Sequence, residues 1–232
     1  MMTPRYRDEA VLNAPDYYVR AESERTGSKR LTLHGVLKRS VDIVGSLFGL
    51  LALSPLFVVV AIAIKWEEPK GSVFFSQTRI GKDEKPFRIY KFRSMCVDAE
   101  AKLKDVMDRN FISGAMFKIK DDPRITRIGK FIRKTSIDEL PQFLNVLKGD
   151  MSLVGPRPSS PMEVSQYTSY DKQRLSVTPG CTGLWQVSGR NNIGFEEMVE
   201  LDLSYIRKKS IWFDIGIMLR TVVTVLTSRG AS

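Results

Sequence analysis

Two adjacent acids, Asp138 and Glu139, are the side chains whose type and setting best fit chemistry, because the surrounding segment 122–158 is otherwise strongly basic. Arg133 and Lys134 lie shortly before the pair. Nearby cations and a helix amino terminus both stabilise a carboxylate anion. We therefore expect Asp138 to stay ionised, and to be available as a nucleophile or as a ligand for a phosphate-bound metal.

The same residue types also fit a structural role. Asp138 could cap a helix that begins at Glu139, which would put Pro141 at the third helical position, where a missing N–H is tolerated. Ser136 with Glu139 also matches a capping box, although Pro141 would then remove a hydrogen bond that the helix needs. Spacing alone supports capping and catalysis equally.

Three further cations are candidates for binding phosphate. Arg157 lies between two prolines, so its guanidinium could be held ready for a bidentate contact, although a surface arginine is the common alternative. Lys91 and Arg93 alternate with Phe92. On a strand the two cations would share one face, a pattern that is also typical of a solvated surface.

The composition of the 232 residues excludes several chemistries. His34 is the single histidine, so a Ser-His-Asp triad or a histidine-rich metal site has little to draw on. Cys96 and Cys181 lie far apart and indicate neither a zinc site nor a disulfide framework. No glycine-rich nucleotide motif is present. The net charge of +10 indicates an anionic partner, which could be nucleic acid, an acidic lipid surface or a phosphorylated substrate.

An uncharged run over residues 43–64 would extend roughly 33 Å as a helix, enough to cross a bilayer. It lies too far from Met1 to be a removable signal peptide. Ser54 and Pro55 fall in its middle, and proline breaks the helical hydrogen bonding there while the serine hydroxyl can satisfy a freed carbonyl. The sequence therefore predicts a sharp bend between two half-helices of about three turns each.

Cations flank this run on both sides, which leaves little of the charge asymmetry that orients a spanning helix. We interpret the run as a re-entrant hairpin whose two ends face the cytoplasm. A kinked spanning helix and a buried helix of a soluble protein are the alternatives.

Periodicity after the run predicts a mainly helical domain with one β-hairpin, an α+β fold. The predicted strands cover residues 72–79 and 86–95. The predicted helices cover residues 97–109, 125–132, 139–147, 162–175, 196–208 and 211–226. The last helix is amphipathic, and it either lies flat on the membrane surface or packs in the core.

Four blocks of the sequence, taken in order, resemble the bacterial sugar transferases called monotopic phosphoglycosyl transferases. They are LKRSVDIVGSLFGLLALSPLF, FFSQTRIGKDEKPFRIYKFRSM, DDPRITRIGKFIRKTSIDELPQFLNVLKGDMSLVGPRP and TPGCTGLWQVSGRN. Residues 1–36 lie outside these blocks, and their polar, aperiodic composition predicts a flexible tail. The resemblance implies a re-entrant helix-break-helix over 37–66 and a catalytic domain with interfacial helices over 67–232. It also implies that the protein is located at the bacterial inner membrane, with the catalytic domain on the cytoplasmic face.

The resemblance further implies the reaction. Sugar 1-phosphate would pass from a UDP-sugar to undecaprenyl phosphate with release of UMP, in a reaction that needs Mg²⁺ and starts an exopolysaccharide, capsule or O-antigen glycan. Asp138 would form a covalent intermediate with the sugar-bearing phosphate, and Glu139 would bind the metal. Arg133 and Arg157 match positions associated with phosphate binding. Lys91 and Arg93 lie in a shared block, and Ser54-Pro55 matches the family's helix break.

In the carboxyl-terminal region, the block GLWQVSGRN and the final helices resemble family members with hexose donors, which implies glucose or galactose as the sugar. The expected partners are the UDP-sugar, undecaprenyl phosphate and a phospholipid membrane, with no nucleic acid, and a homodimer is left open. The competing hypothesis is a non-enzymatic, basic, membrane-anchored binder of acidic lipid or nucleic acid. Acids within the most basic segment argue against it, because they would weaken a plain polyanion-binding surface.

Overall fold

The structure, a computed structural model, describes residues 33–99, 101–102, 122–189 and 193–227. The predicted tail lies outside the described residues up to position 32, as does the predicted helix 97–109 from position 103 onward. The described positions 97–99 form turns instead of the start of an α-helix.

The apolar run forms two helices, α1 at Leu33–Ala52 and α2 at Ser54–Glu67, which are bent by 59° relative to each other. Pro55 has no N–H to donate to the carbonyl of Leu51, and the Ser54 hydroxyl donates to that carbonyl instead, at 2.8 Å. The predicted bend is confirmed. Helix α1 is longer than the expected half-helix, because it begins ahead of the apolar run.

No single helix of the described chain combines the length and the apolar character needed to cross a bilayer, but α1 and α2 satisfy both criteria when they are taken together. Large apolar side chains on both helices are exposed, including Phe48, Leu51, Val59 and Ile62. The buried side of α2 packs through Val60 and Ile64 against Phe92 and Ile132.

Strands β1, Phe74–Ile80, and β2, Pro86–Phe92, form the predicted antiparallel hairpin. Strand β2 ends earlier than predicted, because the chain after Phe92 turns to pair with the segment that precedes the next helix. A side chain at Gly129 would lie 1.9 Å from the Ser94 carbonyl, so only glycine permits this approach.

Helix α3, Arg127–Lys134, follows, and its amino end is capped by the Thr126 side chain. The Glu67 carboxylate also accepts from the first two backbone N–H groups of α3, at 2.7 and 2.8 Å. A single 3₁₀ turn at Ile137–Glu139 then leads to α4, Gln142–Lys148. The helix predicted to start at residue 139 therefore starts three residues later, and it ends at Gly149 (φ 89°), as expected.

The carboxyl-terminal half contains a parallel pair that was not predicted, β3 at Ser152–Val154 and β4 at Gly180–Thr182. The prediction of one helix over 162–175 is wrong. Capping boxes at Ser160 and Thr168 start two short helices in its place. The remaining elements are α5 (Pro161–Val164), α6 (Ser169–Lys172), a 3₁₀ turn (Gln173–Ser176), α7 (Leu184–Ser188), α8 (Phe195–Lys208) and α9 (Ile211–Leu226).

Helices α8 and α9 agree closely with the predicted ranges. In α9, Ile217 is buried with Val154 and Tyr205, whereas Trp212 is 82% exposed. The helix therefore packs on the core through one side and leaves an apolar side uncovered within the described chain. The described fold is mixed and mainly helical, with two small sheets, in agreement with the α+β prediction.

Polar side chains near the start of α1 join this helix to the rest of the fold. Lys38 Nζ lies 2.6 Å from Asp214 Oδ2 on α9. Arg39 donates to two carbonyls at the carboxyl end of α4. Asp42 accepts from the Ser152 hydroxyl, and from the next backbone N–H of β3. Helix α1 is thus attached to three separate elements.

We expect Pro55→Ala to straighten the bend, because alanine supplies the N–H that the Leu51 carbonyl lacks. Spin labels at positions 37 and 66 would then move apart by roughly 5 Å, as estimated from the helical rise and the observed bend. Double electron–electron resonance measures this distance when the labels are attached to cysteines introduced at these two positions in a chain whose native cysteines have been replaced. Ser54→Ala is the control, since it keeps the proline, and an unchanged distance in Pro55→Ala would contradict the explanation.

Candidate functional site

Asp138 and Glu139 lie on the 3₁₀ turn between α3 and α4, and they cap neither helix. Helix α4 begins at Gln142 after Pro141, without a side-chain cap. Both capping interpretations are therefore wrong. Ser136, just before the turn, has a left-handed backbone (φ 58°), which non-glycine residues rarely adopt and which is common at functional sites.

The Asp138 side chain is buried, with 8% exposure. Burial, opposed by Lys91 and Arg133 and assisted by the charge of Glu139, raises the pKa of Asp138 to about 6. The basic neighbours and the expected helix amino terminus are evident in the sequence, whereas this burial is not. At neutral pH the carboxylate is still mostly ionised, but it is a far better base than a free aspartate.

Glu139 forms an ion pair with Lys91, whose Nζ lies 2.5 Å from Oε1. The Glu139 side chain is 42% exposed, and although its partial desolvation favours the neutral acid, Lys91, Arg157 and Arg79 together hold the pKa of Glu139 below its usual range. Lys91 is delivered by β2, next to the fully buried Phe92. The pleat of the strand thus points Lys91 at the acidic turn.

A second ion-pair group lies beside the first. Glu163 accepts from Arg157 at 3.2 Å and lies 3.5 Å from Arg79, one carboxylate oxygen facing each guanidinium. Burial would raise the pKa of Glu163, but Arg157, a backbone N–H and Arg79 lower it. Burial and the charge of Arg157 lower the pKa of Arg79 to about 10.

The structure brings most, but not all, of the predicted site residues together. Lys91 and Arg157 act on Glu139, and Lys91 and Arg133 act on Asp138. Arg93 instead donates to the carbonyl and hydroxyl oxygens of Ser72, at 2.8 and 2.9 Å. It follows the last residue of β2, so the alternation that would have aligned it with Lys91 no longer applies.

Arg79 and Glu163 are not among the predicted site residues. Arg79 lies within a block that carries the family resemblance, but nothing local distinguishes it from other strand cations. Glu163 stands three residues after Ser160, the spacing of a capping box, and it does serve as that cap. Its second role, between two arginines, depends on contacts that spacing alone does not reveal.

The acidic pair fits a divalent cation only in part. Among the residues that the structure describes, no group of three or more His, Cys, Asp or Glu side chains could enclose a metal. Mg²⁺ is commonly held by one or two carboxylates together with substrate phosphates. Asp138 and Glu139 meet that smaller requirement, so the site fits an ion that arrives with a phosphorylated substrate.

The described side chains therefore combine an activated carboxylate, a second carboxylate beside it and several cations. This arrangement can bind a phosphorylated anion and place one phosphorus near a nucleophilic oxygen. The turn also lies close to α2, because α2 packs on both β2 and α3.

Comparisons with known proteins point to one family. The profile of the family described as bacterial sugar transferase matches residues 33–228. The chain is 55% identical to the galactosyl transferase CpsE of Streptococcus agalactiae over 199 residues, which are 85% of this chain and 44% of that protein. It is 42% identical to the UDP-glucose:undecaprenyl-phosphate glucose-1-phosphate transferase of Escherichia coli over 204 residues, 84% of this chain and 41% of that protein.

A third relative is similar in length to this chain. The exopolysaccharide production protein ExoY of Rhizobium meliloti is 38% identical over 212 residues, which are 90% of this chain and 93% of that protein. The chain thus spans less than half the length of the first two relatives and nearly all of the third.

The burial of Asp138 predicts that Asp138→Asn stabilises the fold. The folded pKa, about 6, is above the ordinary value of 3.8, so the stability cost of ionisation is absent below the ordinary value and complete above about pH 6. We expect a gain on the order of 2 kcal/mol at about pH 7.5 and almost none at about pH 4. Thermal unfolding at both pH values measures it.

Asp83→Asn, at an exposed position of the hairpin turn, is the matched control and should change the free energy of unfolding little at either pH. A gain for Asp138→Asn of equal size at both pH values would show that ionisation of this carboxyl is not its cause.

Proposed function

Because the chain belongs to the bacterial sugar transferases of the phosphoglycosyl transferase family, we propose that it transfers a sugar 1-phosphate from a UDP-sugar to undecaprenyl phosphate and releases UMP. The observation that carries this proposal is the buried Asp138 beside Glu139 within a group of cations. Two of the relatives described above are named as transferases, which favours an enzyme over a non-enzymatic binder.

In the first step a carboxylate oxygen of Asp138 attacks the sugar-bearing phosphorus. A new phosphorus–oxygen bond forms, and the bond between that phosphorus and the bridging oxygen breaks. UMP leaves with the electron pair of the broken bond, and its charge is balanced by the nearby cations. Burial serves this step, because a poorly solvated carboxylate loses little hydration when it attacks.

In the second step a phosphate oxygen of undecaprenyl phosphate attacks the same phosphorus. The bond to Asp138 breaks, the carboxylate is restored, and the sugar remains on the lipid diphosphate. Splitting one displacement into two lets each substrate phosphate approach in turn, so that two phosphorylated substrates are never bound side by side.

Glu139 is the residue that would hold Mg²⁺, with substrate oxygens completing the coordination. The ion, when bound, would neutralise charge on the diphosphate. Lys91 fixes the position of Glu139 through their 2.5 Å contact. Arg133 lies on α3 beside the turn and supplies positive charge to Asp138.

We also propose that α1 and α2 enter the inner leaflet of the bacterial cytoplasmic membrane as a re-entrant hairpin. The 59° bend and the exposed apolar side chains support this proposal. It places the catalytic domain on the cytoplasmic face, where a soluble nucleotide can meet a lipid phosphate. The relatives named for galactose and glucose transfer favour a hexose donor.

The reaction predicts that purified protein with Mg²⁺, a UDP-hexose and undecaprenyl phosphate releases UMP. Asp138→Asn should abolish release, whereas Glu139→Gln should lower the rate by on the order of 10²-fold and raise the Mg²⁺ requirement. Protein quenched with donor but without acceptor should carry the added mass of a hexosyl phosphate. Asp83→Asn should retain both signals, and UMP release by Asp138→Asn would refute the nucleophile assignment.

The re-entrant hairpin predicts that both of its ends are on the same side of the membrane. In a chain whose native cysteines are replaced by serine, we expect Ser23→Cys and Glu197→Cys to react with an impermeant maleimide from the cytoplasmic side only. Glu197 is exposed on α8 and reports the side of the catalytic domain. Labelling of position 23 from the opposite side alone would establish a spanning helix in place of the hairpin.

A further inference from the structure

Arg79 is a largely buried arginine with an incomplete set of partners. Its side chain is 14% exposed. Within the described chain, its Nε is buried and has no hydrogen-bond partner, although Nη2 donates to the side chain of Gln77 and Nη1 lies near Glu163. A buried donor that lacks an acceptor costs free energy, so such a group in a folded protein calls for an explanation.

The positions of Arg79 and Arg157 are fixed relative to each other by the backbone. Ile80, which follows Arg79, donates its N–H to the carbonyl of Ser159 at 2.8 Å, two residues beyond Arg157. The carbonyl of Arg157 in turn accepts from Arg174 at 3.3 Å, and Arg174 is fully buried against Asp202. The backbone segments that carry Arg79 and Arg157 are therefore held next to each other.

The two arginines share a single carboxylate. Glu163 faces Arg157 with one oxygen and Arg79 with the other, and the second oxygen also accepts from the N–H of Ser160. Glu163 can neutralise only one of these two cations, and Glu139, on whose charge they also act, is already paired with Lys91, so an excess of positive charge remains. This local charge favours the binding of a further anion.

The arginine pair lies next to the acidic turn. Both guanidinium groups lower the pKa of Glu139, so both lie close enough to act on its charge. A ligand held by Arg79 and Arg157 would therefore present its phosphate groups beside Asp138 and Glu139. Guanidinium groups bind phosphate oxygens through paired N–H donors, which matches a diphosphate with oxygens on two adjacent phosphorus atoms.

We propose that Arg79, together with Arg157, binds the diphosphate of the nucleotide donor, and that Glu163 is a positioning residue that holds both guanidinium groups in place before the donor arrives. The unpartnered Nε of Arg79 is then a donor to a diphosphate oxygen. This inference rests on the proposed function, because it identifies the contacts that a UDP-sugar would make.

Binding without turnover tests the assignment. Calorimetry of the full-length protein with UDP, and separately with inorganic pyrophosphate, should show an affinity loss on the order of 10²-fold for both ligands in Arg79→Gln, which removes a charge-assisted contact. Arg79→Lys keeps the charge but loses the paired donors, so we expect a smaller loss, on the order of tenfold. Arg88→Gln removes an equal charge from an exposed site on β2, and it should leave both affinities unchanged.

Steady-state kinetics separate this role from a structural one. If Arg79 binds the donor, Arg79→Lys should raise the KM for the UDP-sugar and leave the KM for undecaprenyl phosphate unchanged. Glu163→Gln keeps the cap at Ser160 but loses the charge that aligns the arginines, and it should raise the donor KM as well. Ser160→Ala breaks the same cap and should lower Tm without changing the donor KM.

The outcomes distinguish the two levels of proposal. Wild-type affinity for UDP and pyrophosphate in folded Arg79→Lys, with UMP release intact in the wild type, would overturn the role of Arg79 and leave the reaction standing. Loss of binding in the arginine variants, with no UMP release by the wild type on any UDP-sugar, would support the diphosphate site and overturn the reaction.

Discussion

Burial of one carboxylate is the constraint on which the candidate site depends. Removing Asp138 from water favours its neutral form, and ionisation at neutral pH is kept within reach only by cations placed around it. These cations come from different elements, with Lys91 on β2 and Arg133 on α3. The hairpin, α3 and the tight turn must therefore assemble correctly before the carboxylate acquires its chemistry. The raised pKa of Asp138 therefore depends chiefly on tertiary structure and less on its immediate neighbours in the sequence.

A second set of polar contacts attaches α1 to the same assembly. Lys38 reaches α9, Arg39 reaches the end of α4, and Asp42 reaches β3. Lys38 forms an ion pair, whereas Arg39 and Asp42 form hydrogen bonds to uncharged groups. Removing one partner of any of these contacts would leave a largely buried charge or polar group unpaired, so together they favour one arrangement of α1. The bend at Ser54-Pro55 thus has a defined position relative to the acidic turn. If the hairpin enters a bilayer, this attachment determines the depth of the site.

The sequence predicted best those features that depend on neighbouring residues. The bend follows from Ser54-Pro55, and helices α8 and α9 follow from their periodicity. The pairing of β3 with β4 joins residues far apart in the sequence, so no local pattern indicated it. The helix predicted over 162–175 failed because capping side chains outweighed periodicity. In the site, the acidic pair could be recognised because the surrounding segment is basic. The raised pKa of Asp138 could not be predicted, because it depends on burial.

The backbone of Ser136 has a consequence for how the site meets its substrates. A left-handed residue with a side chain costs on the order of 1 kcal/mol that glycine would avoid, but glycine would also give the turn many more conformations. With serine there, the turn has little conformational entropy left to lose when a ligand arrives. The ordering cost is incurred during folding, so more of the interaction energy with the substrate remains for lowering the reaction barrier.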